Sequence, residues 1–133
     1  MKASLKQGLE FKKTIAVDQE RVIGFMGKEA AVYATPRMVS DVEYTCRELL
    51  LEHLDAGEDS VGAHVSIDHL APTPMGMSVT IEVKVADIER RKVVFEFSVK
   101  DIEEVGRGRH VRFIVDTAKT RERLAAKRAK AGL

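Results

Sequence analysis

Residues 77–100, MSVTIEVKVADIERRKVVFEFSVK, read as two strands joined by a short polar turn. Successive side chains of a strand alternate between faces, and here Val79, Ile81, Val83 and Val85 share one phase. Val93, Phe95, Phe97 and Val99 do the same in the second half. Two amphipathic strands with a short connection pair as antiparallel neighbours. Each leaves an apolar row that needs another layer to cover it.

The neighbouring segments extend this meander in both directions. RGRHVRFIV, residues 107–115, puts Val111, Phe113 and Val115 in one phase and Arg112 in the other, ordinarily a solvated strand face. SVGAHVSIDHL, residues 60–70, puts Val61, Ala63, Val65 and Ile67 in one phase, and the next position in that row is His69. Pro72 and Pro74 remove two amide donors just beyond, so this strand is expected to stop within a residue or three of His69. Gly57 to Ser60 is a turn-rich break before it.

The covering layer lies upstream. Thr35-Pro36 marks a helix start, with threonine as N-cap and proline at the first helical position, and the helix is expected to run to about His53 or Leu54. On a helical wheel Met38, Val39, Val42, Cys46, Leu49 and Leu50 form one stripe with Leu54 at its edge. Residues 8–17, GLEFKKTIAV, alternate as a first strand, and Asp18 is placed to cap a short turn through QERVIGF. A strand, a long helix and an antiparallel meander make an α+β fold in which the helix packs on one face of a curved sheet.

At 133 residues with one cysteine the chain is read as a single domain without a disulfide framework, consistent with a reducing cytoplasm. It has no apolar run near the ~20 residues of a membrane span and no signal-peptide core at its start. Net charge is +1, but Ala118 to Lys130 holds six cations against Glu122, a local +5 that leaves −4 elsewhere. This basic tail, at about 117–133, is a solvated helix or a handle for phosphate groups. It has no aromatic residue on which a nucleic-acid base could stack.

Two polar residues sit where apolar ones are expected. Glu43 lies about 20° from Leu50 on the helical wheel, on the flank of the apolar stripe. Arg47, four residues on, is the ordinary partner that would hold it at the boundary. A lone histidine such as His69 at a strand end is ordinarily structural. A carboxylate and an imidazole leaning into one apolar layer are also how proteins prepare acid–base or nucleophilic chemistry. There is no G-x-S-x-G elbow, no H-E-x-x-H and no glycine-rich phosphate loop. Cys46 falls in the core stripe, and nothing groups His53, His64 and His110 as a metal site.

The blocks VYATPRMVSDVEYTC, GAHVSIDHLAPTPMG and GRGRHVRFIV resemble the hot-dog-fold thioesterases of the fluoroacetyl-CoA thioesterase-like family, over about Gly8 to Val115. The most specific parts are the histidine followed by LAPTPMG, and the threonine and glutamate eight residues apart at the helix start. The resemblance implies a catalytic set of Thr35, Glu43 and His69, with Gly62 and Arg112 contributing to the ligand site. It implies a homodimer with sheets edge to edge, an acyl-CoA substrate in a cleft between protomers, and no cofactor beyond the coenzyme A of the substrate. The expected activity is hydrolysis of an acyl-CoA thioester, with a non-catalytic acyl-CoA-binding module and an acyl-CoA dehydratase or hydratase as alternatives on the same fold.

Overall fold

A computed structural model describes all residues, 1–133. The chain forms β1 (Glu10–Ala16), α1 (Thr35–Leu51), β2 (Glu58–His69), β3 (Ser78–Glu89), β4 (Lys92–Lys100), β5 (Glu104–Asp116) and α2 (Thr117–Lys130). Two short 3₁₀ turns, Gln19–Arg21 and Lys28–Ala30, lie between β1 and α1. The five strands make one antiparallel sheet in the order β1-β3-β4-β5-β2. β1 and β2 are therefore opposite edges, and α1 spans the sheet between them.

β3 follows its alternation from Val79 to Val85, beyond which a bulge at Ala86 turns Ile88 to the core side, and β4 follows its own from Val93 to Val99. Val79, Ile81, Val85, Val93, Phe95 and Val99 are fully buried, and they pack with Met38, Val42, Cys46, Leu49 and Leu50 of α1. The turn between them is two residues long, with Arg90 at a φ of 57° as a tight hairpin requires.

β2 departs from simple alternation. Its pairing with β5 slips between Gly62 and His64, so Ala63 is an extra residue bulged out of the ladder. A bulge of one residue exchanges the faces. Gly62, opposite Arg112, and then Val65, Ile67 and His69 all face α1, whereas Val61 pairs with Phe113 and both are exposed. The row expected from Val61 to His69 is thus two rows, joined at Ala63. The same correction applies to β5, where His110, Arg112 and Ile114 face the helix and Phe113 does not.

β2 begins at Glu58, inside the expected break, and ends at His69 as the prolines require. The loop beyond is tied down by its main chain. The amides of Leu70 and Ala71 both donate to Val105 O, that of Met75 to Ala31 O and that of Gly76 to Val17 O. Thr73 is fully buried and donates to Asp101 at 2.8 Å.

α1 starts with Ala34, not Thr35, as N-cap, because Thr35 already has helical geometry and its hydroxyl is engaged elsewhere. The helix stops at Leu51, two to three residues before the expected end at His53 or Leu54. Asp18 precedes the first 3₁₀ turn without capping it, since its carboxylate pairs with Arg21. The basic tail is a helix, α2, capped by the Asp116 side chain and without a buried residue. No helix is long and apolar enough to cross a membrane.

Candidate active site

α1 runs antiparallel along β2, and three side-chain contacts mark the alignment. Thr35 meets His69, Glu43 meets Gly62, and Arg47 forms a two-pronged ion pair with Asp59 at 2.7 and 2.9 Å. The residues expected to act together are therefore spread along the layer. Eight helical residues advance about 12 Å and seven strand residues roughly 20 Å. Within one chain Thr35 and His69 are brought together, and Glu43, midway along α1, lies against Gly62 near the middle of the strand.

At the first end, Thr35 Oγ1 and His69 Nδ1 share a hydrogen bond of 2.7 Å. The Tyr33 ring stands edge-on to the imidazole, centroids 6.5 Å apart. His69 Nε2 is buried without a hydrogen-bond partner. Leaving such an atom unsatisfied costs about 1–3 kcal/mol, so it marks a place where a further group is accommodated.

At the second place, Gly62 makes room for three polar groups. A Cβ added there would lie 2.8 Å from Glu43 Oε1, 3.3 Å from His110 Cε1 and 3.6 Å from Arg112 Nη1. Arg112 is 6% exposed rather than solvated. Its Nε donates to Ser60 Oγ and its Nη2 to Ser60 O, both at 2.8 Å, and its Nη1 lies 3.2 Å from His110 Nε2. None of the chain's nine ion pairs includes Arg112, and desolvation pushes its pKa down. A cleft of about 460 Å³ opens over this cluster, lined by Glu43, Tyr44, Arg47, Val61, Gly62 and Arg112 among others.

Arg47 does not hold Glu43, because Asp59 on β2 takes its guanidinium. Glu43 is left half-buried with its carboxylate on the cleft. Cys46 is fully buried and its thiol pKa is pushed up by desolvation, which makes it core packing and not a nucleophile. No three His, Cys, Asp or Glu side chains converge as metal ligands.

Sequence periodicity did not single out His110, Ser60 or Asp41. Asp41 is buried where it accepts from the Tyr33 hydroxyl and from Arg21 Nε at 3.0 Å, bracing the loop before α1 behind the Thr35 end. The signal for His110 was available in GRGRHVRFI, since it shares a phase with Gly106, Gly108 and Arg112.

A long helix laid along a five-stranded antiparallel sheet, with polar groups where helix and edge strand meet, defines the hot-dog class. Within that class the chain belongs to the fluoroacetyl-CoA-specific thioesterase family, whose model matches residues 17–118. It is 28% identical over 127 residues to the fluoroacetyl-CoA thioesterase of Streptantibioticus cattleyicolor, covering 90% of this chain and 91% of that one. A solved structure of fluoroacetyl-CoA thioesterase superposes with a TM-score of 0.84 at 26% identity, over 93% of this chain and 98% of that one. A Thermus thermophilus hypothetical protein described as a thioesterase superfamily member gives 0.85 at 27% identity, over 97% and 98%.

Proposed function

We propose that the chain hydrolyses a short-chain acyl-CoA thioester to free acid and CoA, as a homodimer in which each site draws on both protomers. The observation that carries this reading is the division of polar groups between two separate places along the α1–β2 layer, Thr35–His69 at one end and Glu43–Gly62–Arg112 near the middle. β2 is an unpaired sheet edge. Two such edges laid antiparallel about a twofold axis between Val65 and Ser66 set Gly62 of one protomer opposite His69 of the other. Each Thr35–His69 pair then faces a partner's Glu43 and Arg112.

In the completed site the Glu43 carboxylate supplies the attack on the thioester carbonyl carbon, directly or by taking a proton from water. With Nδ1 held by the Thr35 hydroxyl, His69 presents Nε2 to the departing sulfur and relays to the thiolate the proton removed from the attacking water, so that the imidazole ends each turnover as it began. The main chain at Gly62, where no side chain intervenes, is open to the thioester oxygen, and the Arg112 charge lies beside the position where negative charge develops. The fluoroacetyl group named for the related thioesterase has two carbons, which supports a short acyl chain here.

The test is a panel of CoA thioesters, fluoroacetyl-CoA included, assayed for free thiol with wild type, Glu43→Gln and His69→Ala. Each variant is expected to lose about 10²–10⁴-fold in kcat. After the two inactive variants are mixed and allowed to exchange subunits, about a quarter of wild-type activity is expected, since mixed dimers keep one intact site of two. A mixture that stays inactive despite exchange rules out the shared site. No thiol release from any thioester overturns hydrolysis, and an enoyl product with the thioester intact indicates a hydratase.

A further inference from the structure

His110 is fully buried, and its two ring nitrogens face groups of opposite hydrogen-bonding character. Nδ1 lies 2.8 Å from His64 O, a carbonyl that can only accept. Nε2 lies 3.2 Å from Arg112 Nη1, a guanidinium nitrogen that can only donate. Both contacts are satisfied at once by a single ring state, the neutral imidazole with its proton on Nδ1 and a lone pair on Nε2. Protonation would set two N–H groups against each other across the 3.2 Å gap and place a second cation beside Arg112.

The surroundings favour the same state. The charged and titratable groups near the ring are Arg112 on its own strand, Glu43 on α1 and His64 on β2. Phe95 of β4 stacks on it, with ring centroids 6.5 Å apart. Desolvation is the largest influence and lowers the His110 pKa, and the bond to His64 O and the nearby Glu43 oppose it only in part.

Arg112 needs such a holder. It is buried and unpaired, Ser60 anchors Nε and Nη2, and Nη1 is the nitrogen nearest the Gly62 gap. We propose that His110 is a positioning residue for the Glu43 end of the site: its uncharged imidazole accepts from Arg112 Nη1 and fixes the guanidinium beside the Glu43 carboxylate. This rests on the thioesterase reading for its catalytic consequence. It adds a requirement that reading does not contain, a neutral ring of defined tautomer one layer behind the reacting groups.

Two substitutions separate positioning from packing. His110→Asn places an amide where Nδ1 stood, keeping the donor to His64 O and losing the acceptor for Arg112. His110→Gln reaches with its amide oxygen to where Nε2 stood and keeps that acceptor. In the full-length dimer, H110N is expected to lower kcat about 10- to 100-fold with KM changed no more than a few-fold, and H110Q to recover most of the loss. Equal impairment of the two, or wild-type turnover in H110N, overturns the proposal.

A readout on the wild-type protein holds even if neither variant folds. Nitrogen-15 NMR of the imidazole at neutral pH is expected to show His110 with a proton on Nδ1 and none on Nε2. A doubly protonated ring, or a proton on Nε2, overturns the proposal whether or not the chain hydrolyses a thioester. Conversely, a chain that shows this ring but releases no thiol from any CoA thioester retains the Arg112 clamp and loses the thioesterase reading.

Discussion

The β3–β4 hairpin and the β2–β5 pair are long antiparallel ladders of the same sheet beneath the same helix, and they present opposite chemistry to it. β3 and β4 turn Val79, Ile81, Val83, Val85, Val93, Phe95, Phe97 and Val99 inward, none more than 5% exposed. β2 and β5 turn inward Gly62, His69, Gly106, Gly108, His110 and Arg112, with Val65, Ile67, Val105 and Ile114 as the apolar remainder. The first pair supplies the burial that makes the sheet stable, at about 25 cal/mol per Å² of apolar surface. The second gives up part of that burial for polar groups held in place by one another, at the edge where another protein surface can approach.

This division predicts that the two pairs fail differently when altered. Ile81→Ala, in the apolar pair, is expected to lower unfolding free energy by about 2–5 kcal/mol by leaving a cavity, with turnover per folded molecule kept within a few-fold. Denaturant titration alongside active-site-normalised kinetics measures both. A large kinetic loss at unchanged stability would erase the contrast between the pairs.

Gly62→Ala, in the polar pair, is expected to do the reverse. The new methyl group meets the Glu43 Oε1 atom at 2.8 Å, and the carboxylate end is flexible enough to move aside. Thermal stability should shift by only a few degrees, while kcat falls about 10- to 100-fold because the carboxylate is displaced from the cleft. Wild-type turnover in this variant would mean that the position of Glu43 is unimportant, and the site would have to be sought elsewhere.

The smallest effect is on acid stability. Folding lowers the His110 pKa, so the unfolded chain binds the proton more readily. Its contribution is therefore fully present above the unfolded value, about pH 6.5, and is lost as pH falls through the folded value. H110Q cannot titrate there, and Arg112, Glu43 and His64 remain in both proteins. Between about pH 6.5 and 5, wild type should lose more stability than H110Q, by no more than about 1.4 kcal/mol per pH unit. Parallel stability curves would show that His110 is charged in the folded protein or insulated from Arg112.

Much of this fold is legible in the chain because β3, β4 and α1 are locally consistent. Their apolar periods match their final faces, and Thr35-Pro36 and the two prolines after His69 mark element boundaries by restricting the backbone. Glu43 could be found the same way, as a carboxylate on the flank of an apolar stripe. β2 and β5 were harder, because a bulge at Ala63 reverses the faces and leaves no mark in a period-two pattern. For that reason Val61 shares a sequence phase with Val65 and Ile67 and yet faces away from them. By its period alone Arg112 reads as solvated, a cation out of phase with Val111 and Phe113; the family resemblance sets it at the ligand site, and only the register with Gly62 reveals the gap that receives it.

The partners of charged side chains were less legible still. Arg47 lies four residues from Glu43, and helical spacing favours that pair. In the folded chain Asp59 offers both carboxylate oxygens in a planar fork, and this geometry outcompetes a single contact along the helix. Glu43 is free to face the cleft because a residue on another element occupies its obvious partner.

By itself the sequence determined the layers of this protein, a helix over an antiparallel meander, and pointed to Glu43 and His69 as polar intrusions into them. Local backbone preference and hydrophobic period suffice for that, since both are written in residues close along the chain. Tertiary structure alone decided that Thr35–His69 and Glu43–Gly62–Arg112 are two separate places in one layer, and that the His110 ring backs the Arg112 guanidinium. Those relations depend on strand register and on a one-residue bulge, and the two places join residues from 19 positions apart (Glu43 and Gly62) to 69 apart (Glu43 and Arg112) through contacts that exist only once the sheet has formed.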